Sequence, residues 1–130
     1  MRFSFTGMKT ILVIEDNDDV RENTAELLEL SNYHVLSAGT GNSGFDLAKQ
    51  FNPDIILCDI MMPGTDEKYF FKRVKEDDVV GKIPLIFFSA GSVSPEFQNE
   101  FMIDSDEYLS KPFTEEELLS IILRRLSKET

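Results

Sequence analysis

Glu15 and Asp16, Asp59, Ser89 and Lys111 each stand at or just beyond the end of a short apolar run: Ile11 to Ile14, Ile55 to Cys58, Leu85 to Phe88, and Tyr108-Leu109. If these runs are parallel strands of one open sheet, their carboxyl ends share an edge, and a ligand crevice opens there where the strand order reverses. The five side chains would then converge. Three carboxylates in a small volume raise one another's proton affinity unless a cation is bound. Mg²⁺ suits such a place, because it takes oxygen ligands in octahedral geometry, keeps several waters and binds through one or two carboxylates plus phosphate oxygens. With the metal in place Asp59 can act as a nucleophile toward a phosphoryl group. Lys111 supplies a point charge and Ser89 a hydroxyl donor for the phosphoryl oxygens, the kind of clamp on which phosphoryl transfer mostly depends.

The elements that must position these residues follow from the alternation of short apolar runs with longer amphipathic stretches, which predicts an α/β fold of five βα repeats with a parallel sheet covered on both faces. The strands are expected at Ile11 to Ile14, Val35 to Ala38, Ile55 to Cys58, Leu85 to Phe88 and Tyr108-Leu109. A first helix is predicted from Asp18 to Leu30, with Val20, Thr24, Leu27 and Leu28 on one face and Asp18 and Asp19 at the positive end of its dipole. A second follows Thr40, a third begins near Asp66, and Ser94-Pro95 reads as the cap and first residue of a fourth. Thr114-Glu115-Glu116-Glu117 is a capping-box pattern for the last helix, with Leu119, Ile122, Leu123 and Leu126 at core-facing spacing.

At 130 residues the chain fits one compact domain, expected over residues 8–130, with residues 1–7 as an N-terminal extension or alternative start before Met8. Asp and Glu outnumber Lys and Arg by 24 to 13, so the overall field repels nucleic-acid backbones and argues against direct DNA or RNA binding. No apolar run approaches the roughly 20 residues of a membrane span, and residues 1–7 lack a secretory apolar core, so no membrane association and a cytoplasmic location are expected. The single cysteine, Cys58, lies within an apolar run and reads as a buried structural thiol. His34, the only histidine, lies far along the sequence from the reactive set and reads as structural or exposed. The 11 phenylalanines read mainly as core, with Phe97, Phe101 and Phe113 as candidates for a binding face.

Four segments in order, Ile-Leu-Val-Ile-Glu15-Asp16, Asp59-Ile-Met-Met-Pro63, Phe-Phe-Ser89-Ala90 and Tyr108-Leu-Ser-Lys111-Pro112-Phe113, resemble the receiver domains of two-component response regulators, over a match running from Met8 to the C-terminus. A stand-alone, chemotaxis-regulator-like receiver is the expectation, with no linker rich in Pro, Gly or Ser read after the last helix; a receiver cut from a longer hybrid kinase or transcription factor would carry the same pattern. The resemblance implies a flavodoxin-like sheet in the order 2-1-3-4-5 and a cis bond between Lys111 and Pro112. It implies phosphorylation of Asp59, Mg²⁺ held by Glu15, Asp16, Asp59 and the backbone carbonyl of Met61, and contact of Lys111 with the phosphoryl group. Ser89 then moves toward the phosphoryl oxygens and Tyr108 turns inward, changing the surface of the fourth helix, fifth strand and last helix as a population shift. The donor it implies is a sensor histidine kinase or a histidine phosphotransfer protein, with a downstream protein target and, in some arrangements, a phosphorylation-dependent dimer.

The pattern departs from the family in several places. Glu67 and Thr65 stand where glycine and methionine are usual, and Asp104-Ser105 replaces Gly-Ala before the fifth strand. Met61 and Gly91 occupy the positions that influence hydrolysis of the phosphoaspartate, and neither offers a polar side-chain group to orient water, so slow dephosphorylation is expected.

Plainer readings exist for each residue alone: Glu15 and Asp16 as helix-dipole partners, Asp59 as a loop cap, Ser89 as a turn hydroxyl, Lys111 as a solvated charge, and Tyr108 as a half-buried strand aromatic. Three rival functions compete with the receiver reading. A Mg²⁺-dependent aspartyl phosphohydrolase needs a second acid two residues after the nucleophile, where Met61 stands. A flavin carrier would have to cradle a phosphate at Glu15 and Asp16, which repel one. A phosphorylation-independent interaction module would keep the pocket and signal through its surface alone. The expectation is therefore a phosphoacceptor signalling domain that assists its own phosphorylation, rather than an enzyme.

Overall fold

The computed structural model describes residues 8–59, 67–89 and 108–127. Strands β1 (Thr10–Ile14), β2 (His34–Ala38), β3 (Ile55–Asp59), β4 (Leu85–Ser89) and β5 (Tyr108–Ser110) form one parallel sheet in the order β2-β1-β3-β4-β5. Helices α1 (Asp18–Leu30), α2 (Gly41–Phe51) and α3 (Glu67–Glu76), a 3-10 turn (Val80–Lys82) and a C-terminal helix (Glu115–Ser127) complete the described elements. The five strands, the first three helices and the last lie where the sequence predicts them, each strand being extended by a residue or so through its ladder. The expected fourth helix from Pro95 lies outside the described residues, as do residues 1–7, Met61, Thr65, Gly91, Phe97, Phe101 and Asp104-Ser105.

Side chains alternate across a strand, and the central strands are apolar on both sides because helices cover both faces. Leu12 and Ile14 of β1 with Ile56 and Cys58 of β3 meet Phe45 and Ala48 of α2 and Phe70, Phe71 and Val74 of α3. Ile11, Val13, Ile55 and Leu57 point the other way, against Leu28 of α1 and Leu118, Ile121 and Ile122 of the C-terminal helix. The single thiol of Cys58 is buried in the first of these cores, and His34 is exposed at the start of edge strand β2. Gly44 brings α2 onto the sheet: a Cβ there would stand 2.4 Å from Ile14 Cδ1.

The helix ends are chemically fixed. Asn17 Oδ1 accepts from Val20 N at 3.0 Å, Thr40 Oγ1 accepts from Ser43 N at 3.1 Å, and Asn52, at φ 47°, closes α2 in the left-handed region. The predicted capping box is formed reciprocally, with Glu117 N donating to Thr114 Oγ1 and Thr114 N to Glu117 Oε1. One expectation is corrected. The C-terminal helix buries Leu118, Ile121 and Ile122, while Leu123 is 57% exposed; Leu119 and Leu126 only flank the core. Apolar residues occupy both sides of this helix, and the sheet face it meets, not its own periodicity, selects the stripe that is buried.

Candidate functional site

The chain runs from β1 out to β2 and returns across β1 to β3, so the strand order reverses between the two central strands, and the crevice expected at such a point lies at their carboxyl ends. Glu15 directly follows β1, Asp59 ends β3, Ser89 ends β4, and Lys111 follows β5. Glu15, Asp59 and Ser89 are buried among apolar strands, at 1%, 4% and 3% exposure, a placement that charged and polar groups do not take without partners.

For the two carboxylates Lys111 is one such partner. Its Nζ donates to Glu15 Oε1 at 2.9 Å and to Asp59 Oδ2 at 3.0 Å, and it lies 5.4 Å from the centre of the Phe88 ring, which itself packs at 5.6 Å on Phe113. Lys111 N donates to Ser89 O at 2.7 Å, tying the end of β5 to the end of β4. The Lys111–Pro112 peptide is cis. The second oxygen of Glu15, Oε2, accepts from Asn17 N at 3.1 Å. Burial pushes the Glu15 carboxyl above its ordinary range and the Asp59 charge adds to the rise, while Lys111 and the Asn17 N–H hold it partly down. Burial alone would depress Lys111, but its hydrogen bonds and charge interactions with Glu15 and Asp59 outweigh this and raise it.

Asp16 is exposed, and its carboxylate reaches the same place from the loop after β1: ligand atoms of Glu15, Asp16 and Asp59 lie within 4.8 Å of one another. Among the described residues three carboxylates face one ammonium, so a divalent cation would balance the local charge. The donors are all hard oxygens, and the exposure of Asp16 leaves room for waters, which fits a hard ion rather than zinc or copper. The cluster could thus hold a metal ion. Ser89 lies one residue past the Asp59–Phe88 ladder pair. Tyr108 is half-buried against the α2–α3 core, and its hydroxyl accepts from Ser110 Oγ at 3.3 Å. Met61, whose carbonyl is an expected ligand, lies outside the described residues.

One residue at this edge was not singled out from the sequence. Arg21 of α1 turns back over the acidic loop, donating from Nη1 to the Glu15 carbonyl at 2.7 Å and from Nη2 to Asp18 Oδ1 at 2.6 Å. Its i, i+3 spacing from Asp18 announces the second contact; nothing in the pattern announces the first.

A family model for the response regulator receiver domain matches residues 11–123. The chain is 33% identical over 120 residues to the phosphate regulon transcriptional regulatory protein PhoB of Pseudomonas aeruginosa, covering 90% of this chain and 52% of that protein. It is 34% identical over 125 residues to the DNA-binding dual master transcriptional regulator RpaA of a Synechocystis species, covering 93% and 52%. The chain spans about half the length of the curated relatives it matches. Its fold superposes on the chemotaxis protein CheY4 of Vibrio cholerae with a TM-score of 0.81, at 24% identity, covering 92% of this chain and 99% of that one. No helix among the described residues is long and apolar enough to cross a membrane. With the sheet order, the acidic edge and the matched span agreeing, the chain belongs to the response-regulator receiver domain family, a family of signalling domains.

Proposed function

We propose that this receiver takes a phosphoryl group onto Asp59 from the phosphohistidine of a partner kinase or phosphotransfer protein, with Mg²⁺ held by Glu15, Asp16 and Asp59 and completed by the Met61 carbonyl. The observation that carries this reading is the buried bridge of Lys111 to Glu15 and Asp59, beside an acidic cluster within 4.8 Å. A bound Mg²⁺ would supply charge neutralisation for the carboxylates and for the phosphoryl oxygens.

An Asp59 carboxylate oxygen forms the new P–O bond as the donor's N–P bond breaks; the electron pair stays on the imidazole, which takes a proton from water. Lys111 follows the charge from the carboxylates to the phosphoryl oxygens, because its ammonium is a point charge on a flexible stem. Ser89 donates its hydroxyl to a phosphoryl oxygen, and Tyr108 fills the space released, altering the surface around β5 and the C-terminal helix that a downstream protein reads. The receiver works as a phosphoacceptor in the cytoplasm and assists its own slow dephosphorylation.

The test is intact mass after incubation with a small phosphodonor and Mg²⁺, for the unmodified protein and Asp59→Asn. A single phosphoryl gain, abolished by EDTA or by the substitution, is the expected result. No gain with Mg²⁺ present would refute the phosphoacceptor reading and leave a phosphorylation-independent interaction module.

A further inference from the structure

The loop after β1 carries Asp16, which must hold its carboxylate near Glu15 and Asp59 while standing exposed to water. An exposed side chain on a loop is placed only as well as its own backbone is placed. Glu15 N donates to Ala38 O at 3.0 Å, fixing the amide side of Glu15. The carbonyl side, which shares its peptide plane with the Asp16 nitrogen, is held by Arg21 Nη1 at 2.7 Å. The same guanidinium reaches Asp18 with Nη2, and Arg21 N donates to Asn17 O at 2.9 Å, so one residue grips the loop on both sides of Asp16. The Arg21 side chain is 20% exposed and its guanidinium lies against the turn after β2, where a Cβ on Gly39 would stand only 3.2 Å from Nη1.

We infer that Arg21 is a positioning residue for the cation site: by holding the Glu15–Asp16 peptide it presents the Asp16 carboxylate to a divalent cation without touching that cation or the carboxylates of Glu15, Asp16 or Asp59. This rests on the metal reading of the acidic cluster. A backbone carbonyl keeps its charge whatever binds nearby, so the Arg21–Glu15 contact persists through loading, whereas Lys111 must share its carboxylates with an arriving cation.

Electrostatics and positioning predict opposite signs for Arg21→Ala. Deleting a cation near an acidic cluster, by charge alone, tightens Mg²⁺ binding. Losing the peptide clamp weakens it, by about tenfold if Arg21 behaves as outer-shell partners of metal ligands do. Arg21→Lys keeps the charge and one donor but not the fork, and is expected to fall between. Asp18→Asn removes the ionic partner of Nη2 and leaves the Glu15 contact, and is expected to stay within about twofold, as for an exposed ion pair.

Mg²⁺ affinity is measured by titration calorimetry on the four proteins, with amide NMR spectra recorded without metal. The expected result is weakening in the order Arg21→Ala, then Arg21→Lys, with Asp18→Asn near the unmodified protein, and broadened Asp16 and Asn17 amides confined to the Arg21 variants. Equal or tighter binding by a folded Arg21→Ala, while the unmodified protein binds Mg²⁺, overturns the positioning role and leaves the metal site standing. Failure of the unmodified protein to bind Mg²⁺ overturns the metal reading and this inference with it. Should Arg21→Ala not fold, Arg21→Lys decides: affinity equal to that of Asp18→Asn refutes the clamp.

Discussion

Replacing Lys111 by methionine keeps an unbranched apolar side chain and deletes the ammonium that bridges Glu15 Oε1 and Asp59 Oδ2 and lies over the Phe88 ring. Two charge-assisted hydrogen bonds of roughly 1.5–3 kcal/mol each would set a large cost. The chain has an escape, because Glu15 can take a proton. From its ordinary value of 4.5, protonation at pH 7 costs about 3.4 kcal/mol, at about 1.36 kcal/mol per pH unit. That figure caps the Glu15 contribution, and the 23% exposure of the Lys111 side chain reduces it, so Lys111→Met is expected to lose about 2–3 kcal/mol at pH 7 without metal.

The deficit carries a pH signature. A carboxyl whose folded value lies above its unfolded value stabilises the fold below the unfolded value, and this is lost as pH rises toward the folded one. Without Lys111 the Glu15 carboxyl rises further, since Lys111 is among the groups holding it down. The loss from Lys111→Met should therefore grow from pH 5 to pH 7, the Glu15 share falling to about 0.7 kcal/mol at pH 5, where the protonation cost is small. Urea unfolding of both proteins across this range, in EDTA, measures it. A deficit that is flat with pH, or largest at low pH, would refute the claim that the ammonium balances these carboxylates.

Three further outcomes are expected. Gly44→Ala gains about 1 kcal/mol of helix propensity but drives a Cβ to 2.4 Å from Ile14 Cδ1, so overpacking should leave it destabilised by a net 1–2 kcal/mol, roughly; a higher urea midpoint would contradict this. Asp77 lies below its ordinary 3.8 because Lys49 and the Val80 and Val79 N–H groups hold its carboxylate, so its contribution is present above that value and lost as pH falls through the lowered one; Asp77→Asn should flatten the acid limb of the stability curve, and an unchanged limb would count against it. Met61→Asn should speed loss of the phosphoryl group from Asp59 severalfold, followed by intact mass over time; a rapid loss from the unmodified protein would sink the slow-hydrolysis expectation.

The strands and the converging edge were legible because buried parallel strands need uninterrupted apolar runs, and the residues just past the ends of such runs must lie at one rim. Glu15, Asp59, Ser89 and Lys111 could be placed that way. The strand ends shifted by a residue because the ladder continues while a neighbour offers a partner, as Asp59 finds opposite Phe88. The stripe on the C-terminal helix differs from its spacing for a different reason: Ile122 is buried as expected, but Leu118 and Ile121 join it in place of Leu119, Leu123 and Leu126 on the same turns, and the winner depends on the sheet surface containing Ile11, Val13 and Phe88. Arg21 was missed because its partner is a main-chain carbonyl, which every residue has and no sequence pattern marks.

Lys111 and Arg21 divide the work of positive charge at this edge by the kind of acceptor each holds. Lys111 holds carboxylates, whose demand for it would fall if a cation bound beside them or if Asp59 were phosphorylated as proposed; a ligand can shift an equilibrium only through contacts that differ between its two states. Its own N–H meanwhile ties it to Ser89 O and hence to the last residue of β4, beside Phe88 and Phe113. A change of charge at Asp59 would thus reach the β4–β5 rim through Lys111. The loop after β1 is held differently: Arg21 grips it through main-chain carbonyls, whose charge does not change, while its link to the carboxylates runs through Asn17 N, which donates to Glu15 Oε2.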